Sequence, residues 1–120
     1  MLKPDVLAIH NNGDSKNQVI LDLHIPAELS YFLGHFPNMP VLPGVVQVDW
    51  AIHYAHHHLP VTGDFIAIEH IKFQSLVLPD AILELALNWH SESYHLEFSF
   101  TTRARKYSSG RILFGAPYEL

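Results

Sequence analysis

Two residues fourteen positions apart have the types and setting for acid–base chemistry. His35 stands in the run Gly34-His35-Phe36-Pro37-Asn38-Met39-Pro40-Val41-Leu42-Pro43-Gly44, and Asp49 follows among Val45, Val46, Val48, Trp50, Ala51 and Ile52. Proline and aromatic packing would hold the His35 imidazole in one place, as a general base requires. A loop histidine satisfied by backbone groups has the same sequence appearance. Asp49 lies too far into the expected helix to be its N-cap. A carboxylate in an apolar wall is costly unless paired, so its pKa should rise, and a carboxyl protonated near neutrality can act as a general acid. An Asp paired with a basic residue, or one facing solvent, stays open as an alternative. Gly44 sits at the helix start, where an amide N–H without an intrahelical partner favours developing negative charge. A glycine required only by the turn would look the same.

The elements that must position these groups are legible in the pattern. Val6 to Ile9 reads as a short strand, and 11–15 as a turn. Val19, Leu21, Leu23 and Ile25 alternate along a half-buried strand hairpinned to the first. Pro26, Pro37, Pro40 and Pro43 preclude continuous helix or ladder pairing between 26 and 43, yet Tyr31, Phe32, Leu33, Phe36, Met39, Val41 and Leu42 make that loop apolar. A helix is expected from Gly44 to about His58, with Val45, Val48, Ile52, Ala55 and Leu59 as its apolar stripe; Val46, Trp50 and Ala51 widen it until most sides are buried, and Pro60 stops it. Strands follow at 65–73, 81–89, 94–102 and 106–114. The expected fold is a single α+β domain over residues 1–120, an antiparallel sheet wrapped on one helix.

Composition narrows the function. The chain has 120 residues, 48% hydrophobic and 16% charged, with 7 Lys+Arg against 12 Asp+Glu and a formal charge of -5. This balance disfavours nucleic-acid binding and offers no polybasic membrane anchor. With no cysteine, disulfides, a cysteine nucleophile and Cys-ligated metals are excluded, and a reducing cytoplasm is the expected setting. The N-terminus does not read as a signal peptide, and no apolar run is long enough to span a membrane. The six glycines form no dinucleotide fingerprint, P-loop or nucleophile elbow. Asp49, His53 and His57 share a helix face with a spacing that could ligate a metal. The plainer reading places His53, His56, His57 and His58 favourably at a helix C-terminus, and no metal or other cofactor is expected.

The stretch GHFPNMPVLPGVVQVDWA resembles the active-site segment of the hot-dog-fold 3-hydroxyacyl-(acyl carrier protein) dehydratases, whose pattern runs roughly GHFPGxPxxPG with an acid fourteen residues after the histidine. Ile71-Lys72-Phe73 and Val77-Leu78-Pro79-Asp80 echo the family's second motif, and the resemblance covers about residues 18–90. The wording is most like the short aryl-polyene-type dehydratases. The resemblance implies a hot-dog fold with His35 as the base at C2, Asp49 as the acid at the C3 hydroxyl, and the Gly44 N–H as donor to the thioester carbonyl. It also implies a homodimer in which the histidine and acid come from different subunits, with an acyl tunnel between them. Phe36, Val45, Val46, Trp50 and Phe73 are the candidate tunnel walls. Asn38 stands where the family has glycine, and Asp80 follows Pro79 without one. The fatty-acid enzymes' N-terminal leader is expected to be missing, which leaves tunnel depth and chain-length preference open. An Asp acid does not decide whether the double bond is also isomerised. Acyl carrier proteins are acidic, so Arg103, Arg105, Lys106 and Arg111 are the candidate docking cluster, with solvated strand ends as the alternative. A hot-dog thioesterase and a noncatalytic partner subunit of a heteromeric dehydratase remain the alternative functions.

Overall fold

A computed structural model describes residues 2–11, 16–32 and 40–116. Six strands form one antiparallel sheet: β1 (Asp5–His10), β2 (Gln18–His24), β3 (Phe65–Phe73), β4 (Ile82–His90), β5 (His95–Thr101) and β6 (Lys106–Phe114). Across the sheet they run β1-β2-β4-β5-β6-β3, so β1 and β3 are its edges. The helix α1 (Gly44–His58) lies on one face, and Ser30–Phe32 make a 3-10 turn before it.

Period-two alternation decides which face is buried. Val19, Leu21 and Leu23 of β2 face the core with Leu83, Leu85, Leu87 and Trp89 of β4 and Leu96, Phe98 and Phe100 of β5. The registers pair like with like: Leu21 lies opposite Leu85, and Leu85 opposite Phe100. These cross-strand apolar contacts are the main source of sheet stability.

The helix begins where Pro43 presets an extended backbone, φ −59° and ψ 145°, and its carbonyl accepts the first helical bonds from Val46 N–H and Gln47 N–H. It ends as expected before Pro60, with Leu59 N–H closing on Ala55 O. Val48, Ala55 and Leu59 of the expected stripe are buried, together with Val46, Gln47, Trp50, Ala51 and Tyr54, but Ile52 is only half-buried and Val45 is 76% exposed. The first half of the helix is buried on most sides, as expected, and open along one narrow stripe through Val45 and Asp49. With Val45, Val46, Val48, Trp50 and Ala51 all apolar, composition could not set the rotation; the sheet did.

Strand β3 also departs from an ordinary core strand. Phe65, Ile66, Ile68, Ile71 and Phe73 are all exposed, although β3 pairs with β6 along most of its length. A bulge interrupts the pairing between Glu69 and Lys72, where His70 takes a left-handed φ of 52°. The loop from β3 to β4 closes on Asp80, whose φ is 65°. Asp here adopts the conformation usually left to glycine, which short polar side chains tolerate. Asp80 N–H donates to Ile25 O at 2.7 Å, and its carboxylate lies 3.2 Å from His24 Nε2. His24 Nδ1 lies 2.9 Å from the Asp5 carboxylate, so one imidazole joins β1 and β2 to this turn.

Candidate functional site

The site is built around the N-terminal half of α1. Gly44 and Asp49 are five residues apart, about 7.5 Å along the axis. Gly44 lies within the first turn, where N–H groups have no intrahelical acceptor, and no side chain caps this end. Its backbone φ is ordinary, so the turn does not require glycine. Close approach does: a Cβ at Gly44 would lie 2.5 Å from Phe73 Cζ. The helix N-terminus thus abuts a ring carried by the edge strand β3.

Asp49 lies on the open side of α1. Its side chain is 68% exposed, and its nearest cationic partner is Lys3, at 3.8 Å. Among the described residues, the apolar wall expected around this carboxylate is not closed. The reason is the helix phase: Asp49 is four residues from Val45, and the two stand on the same uncovered stripe. Residues 33–39, and with them His35 and Phe36, lie outside the described residues, as does Asn38.

The expected tunnel residues divide. Val45 and Phe73, the latter 52% exposed, present apolar surface beside the helix start, and Val46 is nearly buried behind them. Trp50 does not line an open surface. It is 0% exposed, stands edge-on to Tyr31, and its Nε1–H donates to Leu2 O at 3.2 Å. It is a core anchor that fixes α1 rather than a wall.

One polar group here was not anticipated. Gln47 is buried among apolar neighbours, accepts a 2.6 Å hydrogen bond from Ser108 Oγ–H of β6, and donates from Nε2 to Leu42 O at 3.2 Å. It ties the segment just before Gly44 to the sheet. The only signal in the sequence was a glutamine inside an apolar helical run; its partner is 61 residues away.

The histidines at the end of α1 meet edge-on or tilted to one another, and with Asp49 they form no metal-ligating group among the described residues. His53 and His57 rings are 4.5 Å apart, and His53 lies edge-on to Tyr54. Burial, with Lys3 and His57 nearby, holds the His53 pKa below its usual value, and burial does the same for His58.

The four basic residues do not form one cluster. Arg103, Arg105 and Lys106 are exposed at the β5–β6 turn. Arg111 is five residues further along β6, about 17 Å away. Its guanidinium lies 3.5 Å from Glu69 and 3.9 Å from Glu97, so it is already engaged by two carboxylates. A shallow groove of about 610 Å³ runs over the sheet face turned away from α1, lined by His70, Lys72, Asn88, Glu97, Ser109 and Arg111 among others; neither Gly44 nor Asp49 touches it.

Comparison with known proteins defines the class. The family described as "ApeI-like: ApeI dehydratase" matches residues 10–111, and the chain belongs to that family. A chain of "The Dehydratase Heterocomplex ApeI:P from Xenorhabdus doucetiae" superposes with a TM-score of 0.86 at 33% identity, covering 92% of this chain and 96% of that one. An uncharacterized protein from Erwinia carotovora subsp. atroseptica superposes at 0.80 with 38% identity, covering 94% and 96%. These superpositions give the six-stranded sheet and single helix the hot-dog fold of that family. Among curated relatives, the 3-hydroxyacyl-(acyl-carrier-protein) dehydratase FabZ of Novosphingobium aromaticivorans is 33% identical over 95 residues, 71% of this chain and 54% of its own. The FabZ of Roseobacter denitrificans is 37% identical over 67 residues, 48% and 44% respectively. The chain spans about half the length of the curated relatives it matches. Among the described residues, no helix is long and apolar enough to cross a membrane.

Proposed function

We propose that this chain dehydrates a 3-hydroxyacyl thioester, carried on an acyl carrier protein, to a trans-2-enoyl thioester and water. In this reading His35 removes a C2 proton, the C2–H electrons form the C2=C3 double bond, and the C3 hydroxyl leaves with the proton of Asp49 as water. The Gly44 N–H donates to the thioester carbonyl oxygen, where negative charge grows as the C2 proton departs. The carrying observation is the placement of Asp49: a helical carboxylate on an open face beside exposed Val45, about one and a half turns from an uncapped N-terminus that abuts Phe73.

A homodimer completes the proposal. A second copy laid over the Val45–Asp49 stripe and the apolar β3 edge would exclude water from the carboxylate and bring the partner's histidine to it. The acyl chain would pass along Phe36, Val45, Val46 and Phe73. Arg103, Arg105 and Lys106 are the proposed contact for the acidic carrier protein; Arg111 is left out because its charge is already paired. Whether the chain serves fatty-acid or polyene lipid synthesis stays open within this reading, as does isomerisation. The setting is cytoplasmic, in keeping with a chain free of cysteine.

The test is turnover of 3-hydroxyacyl thioesters, followed at the enoyl absorbance. Wild type should form enoyl product, and His35→Ala and Asp49→Asn should each lose roughly 10²–10⁴-fold in kcat while staying folded. A folded wild type that releases free acid instead would point to a thioesterase. The Xenorhabdus doucetiae assembly, described as a dehydratase heterocomplex, favours a second reading in which this chain needs a different subunit. A monomeric native mass with no turnover alone would support that reading.

A further inference from the structure

On the sheet face opposite α1, His90, His95 and Glu97 gather three ligand atoms within 4.8 Å of one another. His90 ends β4 and His95 begins β5, directly opposite in the register, and their rings stack at 4.2 Å with planes 20° apart. Stacking turns both Nε2 atoms toward the same oxygen. Glu97 Oε1 lies 3.2 Å from His90 Nε2 and 3.4 Å from His95 Nε2.

Two details distinguish this cluster from an ordinary surface ion pair. His90 Nε2 is a buried atom without a hydrogen-bond partner, although the carboxylate oxygen is only 3.2 Å away. The two atoms are close without forming a hydrogen bond. The spacing also fits a cation. Two ligand atoms about 2.05 Å from one tetrahedral ion lie about 3.3 Å apart, midway between the two observed separations. On the far side of the His95 ring, Nδ1 lies 2.6 Å from Ser93 Oγ. If Nδ1 carries the proton and donates to Ser93, Nε2 keeps its lone pair, the outer support typical of a ligating histidine.

We propose that His90, His95 and Glu97 form a binding site for a divalent transition metal of the zinc type, which clips the β4–β5 hairpin from outside. Two imidazoles and one carboxylate are a nitrogen–oxygen set suited to zinc, with water filling the remaining position. Arg111 sits 3.9 Å from the same Glu97 oxygen and retains Glu69 when the ion enters. The site lies on the opposite face of the sheet from Asp49, and no step of the proposed dehydration runs through it.

The test uses tag-free protein, because four further histidines crowd the end of α1. Zinc chloride should raise the thermal midpoint by roughly 5 °C at saturating excess, and EDTA should reverse the shift. In calorimetric titration, His95→Gln and Glu97→Gln should each weaken zinc binding at least tenfold. The double variant His53→Asn/His57→Asn should bind as wild type does. A midpoint indifferent to zinc, a shift that survives His95→Gln, or a shift lost in the α1 double variant would each overturn the proposal. If a variant fails to fold, nitrogen-15 imidazole spectra of wild type decide. Zinc should move the Nε2 resonances of His90 and His95, and movement confined to the α1 histidines would refute the site. All these readouts are independent of thioester turnover.

Discussion

The two sides of α1 are built from similar residues and do opposite work. On one side Val46, Gln47, Trp50, Ala51, Tyr54 and Ala55 are closed off by the sheet, and even the one amide among them has its hydrogen bonds supplied. On the other, Val45 and Asp49 face outward, with Lys3 as the nearest charge. Five residues of one short run, Val45 to Asp49, therefore include both a fully committed structural wall and an uncommitted chemical one. The difference teaches that the sheet decides only half of this helix. The rest is left uncovered by the described residues, and that is the side bearing the carboxylate.

Substitutions can widen or erase this contrast. The largest effect on folding should come from the closed side. Trp50→Ala removes a fully buried indole and should cost about 3–5 kcal/mol in denaturant unfolding, whereas Asp49→Asn should leave the unfolding midpoint within about 0.5 kcal/mol of wild type. A Trp50 variant as stable as wild type would show that the indole does not anchor α1. Next in size is the buried amide. Ser108→Ala strips Gln47 Oε1 of its donor and should cost about 1–3 kcal/mol, and Ser108→Ala/Gln47→Leu should recover part of that loss. In the proposed homodimer, Val45→Lys should change monomer stability little but shift the sedimentation profile from dimer to monomer and lower turnover with it. An unchanged dimer would place the interface elsewhere.

The smallest effect is electrostatic and far from the helix. Hydrogen bonding to Asp5, outweighing desolvation and aided by Asp80, raises the His24 pKa above 6.5. The charged imidazole is then favoured by the folded state. Its stabilisation is full below pH 6.5 and fades as pH climbs through the higher folded value. Melting curves of wild type and His24→Gln should therefore differ more at pH 6 than at pH 8. A gap that widens with rising pH would reverse the sign and reject the bridge.

Much of the architecture was written in local pattern. Leu83, Leu85, Leu87 and Trp89 alternate with polar or small residues, and β4 buries that same set. Pro43 and Pro60 bracket α1, and its bounds came out as read. What stayed hidden depended on partners distant in the chain. The rotation of α1 could not be read because its first half is apolar all round. The exposure of β3 could not be read because an apolar run looks the same at an edge and in the centre. Gln47 gave no clue to Ser108. Gly44 and Asp49 lie at the start and in the first half of α1 as read, but the exposure of Asp49 followed from that unreadable rotation. Trp50, expected on a tunnel wall, proved to be core, since its size suits both roles.

The order of strands across the sheet has a last consequence, for how the molecule is assembled. Strands β4, β5 and β6 are joined by short turns, so their pairing closes only small loops. Strand β2 pairs with β4 across a gap that contains α1, β3 and every residue proposed for catalysis. Closing that long loop carries the greater entropic cost, and such non-local pairings slow folding. The meander can therefore form while the loop is still open, and the segment proposed for catalysis takes its place when the loop closes. A chain stalled before that point would hold the three-strand meander and none of its proposed chemistry.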